Sequence, residues 1–189
     1  MLDSLLVIVV VAAIASGGYL IIVYNNLVQV NHNVDQAWAN IDVLLKQRHD
    51  ELPKLIDTVK AYMGHERGVL ERLVALRVQA GKGGPDAQRL AAEGQITQGL
   101  TQLFAVAEGY PALKADGAFR ELQQRITGIE TQLAHRREYY NDAVNMNNVR
   151  MEQFPDSLMV GVAGIKPRHL YEVATSDKED VNVGALFST

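Results

Sequence analysis

The chain has 189 residues and a formal net charge of −4, which argues against a nucleic-acid partner because such a partner calls for an excess of positive charge. It contains no cysteine, and this excludes disulfides, thiolate metal sites and cysteine nucleophiles. One tryptophan, seven tyrosines and four phenylalanines are few for a core, so the core must consist mainly of Leu, Val, Ile and Ala, which favours helices over sheets.

The N-terminal segment is almost entirely apolar from Leu5 to Tyr24, and no charged residue follows Asp3 until Asp35. A helix of this length, at ~1.5 Å per residue, crosses the ~30 Å hydrocarbon layer of a bilayer. The residues before it include no Lys or Arg, which a cleaved signal peptide needs, although Ala13 to Ala15 resemble a cleavage site. The pattern therefore predicts a retained transmembrane anchor over residues 1–27, with a cleaved signal or a buried soluble helix as alternatives.

Two small residues of the anchor, Ala13 and Gly17, are four positions apart and would let a second membrane helix approach closely. Small residues are also common in membrane helices without such a contact, so this alternative stays open. Positive charge near the anchor is scarce, since Lys46 and Arg48 are the first basic residues after it. The small bias that they create favours a cytoplasmic soluble part.

After the anchor, apolar residues recur in alternate steps of three and four, which marks one face of a long helix. The pattern predicts that this helix continues to Ala80, with a bend at residues 48–53 near Pro53 and a weak point between Gly64 and Gly68. The apolar residues are Val30, Val34, Ala37, Ile41, Leu44, Leu52, Leu55, Val59, Tyr62, Val69, Leu73, Leu76 and Ala80.

Glycine and proline divide the rest of the chain. A loop is predicted at Gly81–Pro85, then a second helix that is opened by Pro85 or Asp86 and ends around Gly109. A third helix is predicted from Asp116 or Gly117 to Phe154-Pro155. The predicted fold is all-α: a transmembrane helix that continues into an antiparallel bundle of three to four long helices with coiled-coil-like apolar faces. The bundle would occupy residues 28–173, and residues 174–189 would form a flexible tail.

The predicted helix lengths do not match. Outside the membrane the first helix would be ~80 Å long, the second ~35 Å and the third ~55 Å. Either the second and third helices return along the first as one arm, or a second copy or partner covers an apolar face that costs about 25 cal/mol per Å² in water. The hypothesis is self-association through Val34, Ala37, Ile41 and Leu44, together with Ala13 and Gly17.

Arg48 is in phase with the apolar face of the first helix. A buried charge must be paired, so Arg48 and Asp42 are candidates for a buried polar layer that sets the register of the helices. The alternative is that a local change of phase turns Arg48 toward solvent.

Catalytic signatures are not found in the sequence. His65-Glu66 lacks the second histidine of a metalloprotease motif, and Gly81 to Gly84 lack the Lys-Ser/Thr ending of a phosphate-binding loop. We therefore expect a protein that is not an enzyme and has no metal or cofactor.

Several motifs, in order along the chain, resemble those of the LemA family of bacterial membrane proteins. They are Tyr24-Asn25-Asn26-Leu27-Val28, Ala37-Trp38, residues 41–50, Leu52-Pro53-Lys54-Leu55, Val59-Lys60-Ala61-Tyr62, His65-Glu66, residues 110–115 before Phe119, Tyr140-Asn141 and Phe154-Pro155. Asn147-Asn148 departs from the Tyr-Asn pair expected there. The resemblance implies one N-terminal membrane helix, a helical bundle facing the cytoplasm or the envelope, no catalytic residues and, through a magnetosome-associated relative, a role in membrane organisation.

Two functions are consistent with these features. The first is a scaffold in the bacterial inner membrane that binds the lipid bilayer, self-associates and organises membrane or envelope proteins. The alternative is a regulatory or adaptor subunit of a membrane enzyme such as a protease. Its membrane protein partner would dock at Gly81–Pro85 and at the basic residues Arg67, Arg72, Arg77 and Lys82.

Overall fold

The computed structural model describes residues 2–63, 67–81 and 87–171, and over these residues the protein has six helices and no strand. The helices are α1 Leu2–Lys60, α2 Arg67–Ala80, α3 Ala87–Ala107, α4 Pro111–Ala115, α5 Gly117–Glu152 and α6 Ser157–Ala163. The prediction of an all-α fold with a long apolar N-terminal helix is confirmed. The predicted tail at 174–189 lies outside the described residues.

Helix α1 is continuous over 59 residues and passes through Pro53 without ending. The prediction of one helix as far as Ala80 is wrong, because α1 ends at Lys60 and α2 begins at Arg67. The amides of Tyr62 and Met63 both donate to the carbonyl oxygen of Val59, at 3.0 and 2.9 Å, and this tight turn terminates the helix.

The chain divides into two compact units, and α1 and α5 contribute to both. The first unit, described here over residues 2–45 and 131–170, contains the N-terminal part of α1, the C-terminal part of α5 and α6. The second consists of the described residues of 46–130 together with Tyr171.

In the first unit, α5 lies beside α1. The rings of Trp38 and Tyr140 meet edge to face with centroids 5.7 Å apart. Four residues that were expected to form an interface between copies are buried within this single chain: Val34, Ala37, Ile41 and Leu44. The apolar face of α1 is therefore covered by the chain's own return arm, and the reason for placing an interface there does not hold.

In the second unit, α2 and α3 pack closely through residues that include Leu73, Leu76, Ile96 and Leu100. A Cβ atom added at Gly99 would lie 2.8 Å from Cδ2 of Leu73, so the Leu73 side chain packs directly against the backbone of α3 at this glycine.

The start of α5 is held by Asp116. Its Oδ1 accepts a hydrogen bond of 2.9 Å from the amide of Phe119, and its Oδ2 accepts one of 2.8 Å from the hydroxyl of Tyr62. The carboxylate thus caps the N-terminus of α5 and ties it to the end of α1.

The C-terminal part of the first unit turns sharply after α5. Arg150 donates two hydrogen bonds of 2.9 Å to the carboxylate of Asp156, which is buried immediately before α6. Helix α6 ends at Gly164, whose φ of 64° lies in the left-handed region that favours glycine.

Candidate functional sites: the apolar span and a buried ion-pair layer

The N-terminal part of α1 contains a candidate membrane span, identified by length and composition. Only 6% of its most apolar window is buried inside the protein, whereas the core helix of a soluble protein is mostly buried. Its exposed aliphatic side chains include Leu5, Val9 and Ile14. Water solvates such a surface poorly, so the span is suited to a lipid environment.

Within this span, Ala13 and Gly17 lie on the exposed surface. A Cβ atom at Gly17 would meet no atom within 4 Å, so the backbone of this face is open to close approach. Of the six residues predicted to form an oligomer interface, these two are the ones that the fold leaves accessible.

In the second unit, Arg48 is 0% exposed and joins three helices. Its Nη2 forms an ion pair with Oε2 of Glu93 on α3, which is also 0% exposed, and donates to the Glu93 carbonyl oxygen at 3.3 Å. Its Nη1 donates to Oε1 of Glu130 on α5 at 2.6 Å and to Oγ1 of Thr97 at 2.9 Å. We call Arg48, Glu93, Thr97 and Glu130 the buried ion-pair layer.

The layer has a shell of further basic groups. Nε2 of His49 lies 3.2 Å from Oε1 of Glu93, and Nε of Arg89 lies 3.9 Å from the same oxygen. Nε of Arg77 donates to the carbonyl oxygen of His49 at 3.0 Å. One member of the basic docking run predicted by the sequence is therefore engaged inside the unit. Of the others, Arg72 is exposed, whereas Lys82 and the side chain of Arg67 lie outside the described residues.

Both buried charges are stabilised by their neighbours. Burial alone would lower the pKa of Arg48, but the negative charges of Glu130 and Glu93 outweigh this effect and raise the pKa above its ordinary value. Burial alone would raise the pKa of Glu93, but the adjacent His49 side chain and the charge of Arg48 hold the pKa below the ordinary 4.5. Both groups are charged at neutral pH.

The arrangement fits a structural role better than a chemical one. The guanidinium and carboxylate groups bind one another across three helices. A substrate cannot reach Arg48 or Glu93, because both side chains are fully buried. Among the described residues, no group of three or more His, Cys, Asp or Glu side chains could hold a metal ion. That the layer sets the register of the helices stays a prediction.

The sequence identified Arg48 but not its acidic partners. Asp42, the partner that it named, is exposed on α1. A signal was available, because Glu93 lies between Leu90 and Ile96 on the apolar face of α3. Acidic residues in helices are usually assigned to the solvent face, and one chain gives no means of pairing them across helices.

A second polar set lies in the first unit and fastens the segment after α6. The Arg168 side chain donates to Asp35 at 2.9 Å and to Asn31 at 3.4 Å on α1. The amide side chain of Asn148 on α5 accepts from the backbone amide of Arg168 at 3.0 Å and donates to its carbonyl oxygen at 2.9 Å. Tyr140 donates to the carbonyl oxygen of His169 at 3.1 Å.

Comparison with known proteins agrees with the resemblance noted in the sequence. The model of the LemA family matches residues 37–184, which include the buried ion-pair layer and the segment around Arg168. Two proteins named magnetosome protein MamQ 1 and MamQ 2, from Paramagnetospirillum magneticum, are 23% identical to this chain over 210 residues, covering 97% of this chain and 77% of theirs.

A third relative, magnetosome protein MamQ from Magnetospirillum gryphiswaldense, is 21% identical over 173 residues, which cover 78% of this chain and 64% of that protein. None of these names denotes an enzyme. The chain is thus similar over most of its length to proteins that are named for the magnetosome.

Proposed function

Because this chain belongs to the LemA family, we propose that it is a membrane-anchored, non-enzymatic helical scaffold that self-associates and organises membrane or envelope proteins. The membrane is the bacterial inner membrane, and the helical units face the cytoplasm. The related proteins are named for the magnetosome and not for a reaction, which supports an organising role.

The observation that carries this proposal is the continuity of α1. One helix of 59 residues begins with the exposed apolar span and then becomes the central element of the packed units. The same helix therefore provides both the anchor and the framework, without an intervening linker.

Self-association is assigned to the anchor. Ala13 and Gly17 are exposed there, and small residues four positions apart permit the close helix contacts that stabilise association in lipid. The face formed by Val34, Ala37, Ile41 and Leu44 is not part of the proposed interface, because it is buried within a single chain.

The mass of the full-length protein in mild detergent, measured by light scattering with correction for bound detergent, tests this proposal. We expect a defined homo-oligomer that dissociates when Ala13→Leu and Gly17→Leu block the close approach. Ala15→Leu is the matched control, because Ala15 lies on the opposite side of the same helix, about 200° from Ala13.

A wild-type protein that is monomeric at all accessible concentrations would contradict the scaffold function. If it then formed a larger particle with a membrane enzyme, the adaptor function would replace it. Equal dissociation by Ala15→Leu would show that the small residues do not form the interface.

A further inference from the structure

We propose that α6, together with Phe154, lies at the interface of the same bilayer that holds the α1 span, with its apolar side chains among the acyl chains and Lys166 beside anionic lipid headgroups. This inference rests on the membrane anchor of the proposed function. It adds a second site of membrane contact, formed by the C-terminal part of the first unit.

The surface of this segment is unusually apolar for one exposed to water. Phe154 is 80% exposed, Leu158 58% and Val162 73%. These residues are spaced four apart, so Leu158 and Val162 share one face of α6. The segment from Phe154 to Ile165 has one charged residue, Asp156, which is buried against Arg150. An exposed apolar face of this kind marks a contact surface.

The segment lies at the level of the end of the membrane span. Tyr140 is beside Trp38, and Asn148 is joined through Arg168 to Asn31 and Asp35, so α5 runs antiparallel to α1. From Tyr140 to the end of α5 the helix extends ~18 Å, which corresponds to the distance from Trp38 back to about residue 26 of α1.

The burial pattern along α1 also places this segment at the end of the membrane span. Among its described side chains, Val23 is the first that is buried, and Leu27 is fully buried. Packing against α1 therefore begins within the last turn of the apolar run. A surface pocket of about 430 Å³ is lined by Asn31 and by Ala163 to Arg168, which places the end of α6 only ~6 Å along α1 from Leu27.

The apolar face is held in place at both ends. The two hydrogen bonds from Arg150 to Asp156 fix the turn before α6, and Asn148 binds both backbone polar groups of Arg168 after it. Since the segment is fastened to α5 and α1, it cannot fold its apolar side chains away without breaking these bonds.

Charge favours the bilayer over a second protein copy as the occupant. Basic residues follow the apolar face at once: Lys166, which is exposed, and then Arg168. Apolar side chains followed by a lysine are the pattern of a helix that lies in the lipid interface, where the lysine reaches anionic headgroups.

Nitroxide labels on the full-length protein in phosphatidylcholine vesicles test this inference. The chain has no cysteine, so Leu158→Cys, Val162→Cys and Val9→Cys each provide a single labelling site. Collisions with oxygen, which concentrates in lipid, are compared with collisions with a water-soluble nickel chelate. Glu138→Cys, exposed on α5, is the control for a water-facing position.

We expect oxygen collisions to dominate at Leu158, Val162 and Val9, and nickel collisions to dominate at Glu138. If Val9 reports lipid while Leu158 and Val162 report water, this inference fails and the anchor stands. If Val9 also reports water, the anchor and the proposed function fail. Labels at Leu158 and Val162 that are shielded from both reagents would mean that protein covers the face, and this too would overturn the inference.

The role of Lys166 is tested by adding phosphatidylglycerol to the vesicles. We expect the Val162 label to shift further toward oxygen, and Lys166→Gln to abolish that shift. A Val162 label that does not respond to phosphatidylglycerol would overturn the assignment of Lys166 to anionic headgroups.

Discussion

Arg48 of α1 and Glu93 of α3 are both fully buried and form an ion pair inside the second unit. Each charge is tolerated there because oppositely charged groups surround it, since an isolated charge in a protein interior is far more costly than a paired one. The pair therefore makes the packing of α3 against α1 depend on one particular alignment of the two helices.

Arg48→Met should destabilise the protein severely, by about 3–5 kcal/mol, because it leaves Glu93 buried without its partner. The combined change Arg48→Met with Glu93→Leu should cost less than Arg48→Met alone. Urea unfolding followed by circular dichroism in detergent gives the free energies. Lys54→Met is the control, since its 3.0 Å pair with Glu51 is solvent-exposed and should contribute under about 1 kcal/mol. Equal losses for Arg48→Met and Lys54→Met would contradict the importance of the buried pair.

Stability should fall in acid as Glu93 becomes protonated. The pKa of Glu93 in the folded protein is below its ordinary value of 4.5. As the pH falls, Glu93 is therefore protonated in the unfolded chain before it is protonated in the folded protein, and its contribution to stability is complete only above pH 4.5. It is lost as the pH falls through the lower, folded pKa. Glu93→Gln should reduce the slope of the unfolding free energy against pH in this range. An unchanged slope would show that other carboxylates account for the acid sensitivity.

Gly99→Ala should destabilise the protein by up to about 2 kcal/mol. The new methyl group would lie 2.8 Å from Cδ2 of the buried Leu73, and this overpacking, about 1–3 kcal/mol, outweighs the helix preference of alanine, about 1 kcal/mol. Gly94→Ala in the same helix is the matched control. No atom lies within 4 Å of its added Cβ, and alanine favours a helix over glycine by about 1 kcal/mol. Thermal unfolding should therefore move in opposite directions for the two variants, and a common direction would refute the close approach of α2 and α3.

Asn147→Leu should stabilise the protein by about 1 kcal/mol, because Oδ1 of Asn147 is buried without a hydrogen-bond partner. The neighbouring change Asn148→Leu should destabilise it by about 1–2 kcal/mol, since Asn148 binds the backbone of Arg168 twice. Denaturant unfolding of the two variants provides the comparison. A loss of stability in Asn147→Leu would mean that this amide has a role in the core that its hydrogen bonds do not explain.

Helical periodicity was sufficient to predict the all-α fold and the start of α5 near Asp116 or Gly117, because these features depend on local spacing and on glycine and proline. The predicted loop at Gly81–Pro85 lies, after Gly81, outside the described residues. The end of α1 at Lys60 was missed. The helical spacing of apolar residues continues beyond Lys60, so the sequence pattern does not mark the end of the helix. The turn instead depends on the amides of Tyr62 and Met63, which share the carbonyl oxygen of Val59.

The long-range features could not be derived from one sequence. Placing Arg48 on the apolar face of α1 predicted that it could be buried, but its partners come from helices 45 and 82 residues further along the chain. The same limit explains the interface assigned to Val34 and Ile41. Their exposure depended on where α5 lies, and helix lengths alone left that question open.

Gly164 links two chemically different surfaces. Its left-handed backbone ends α6 and turns the chain, so that an apolar helix and the basic residues Lys166 and Arg168 are separated by a single turn. Any other residue would meet a steric penalty of about 1 kcal/mol or more in this conformation. The position therefore sets the distance between the apolar side chains of α6 and the basic side chains, so that one short segment can contact acyl chains and headgroups together.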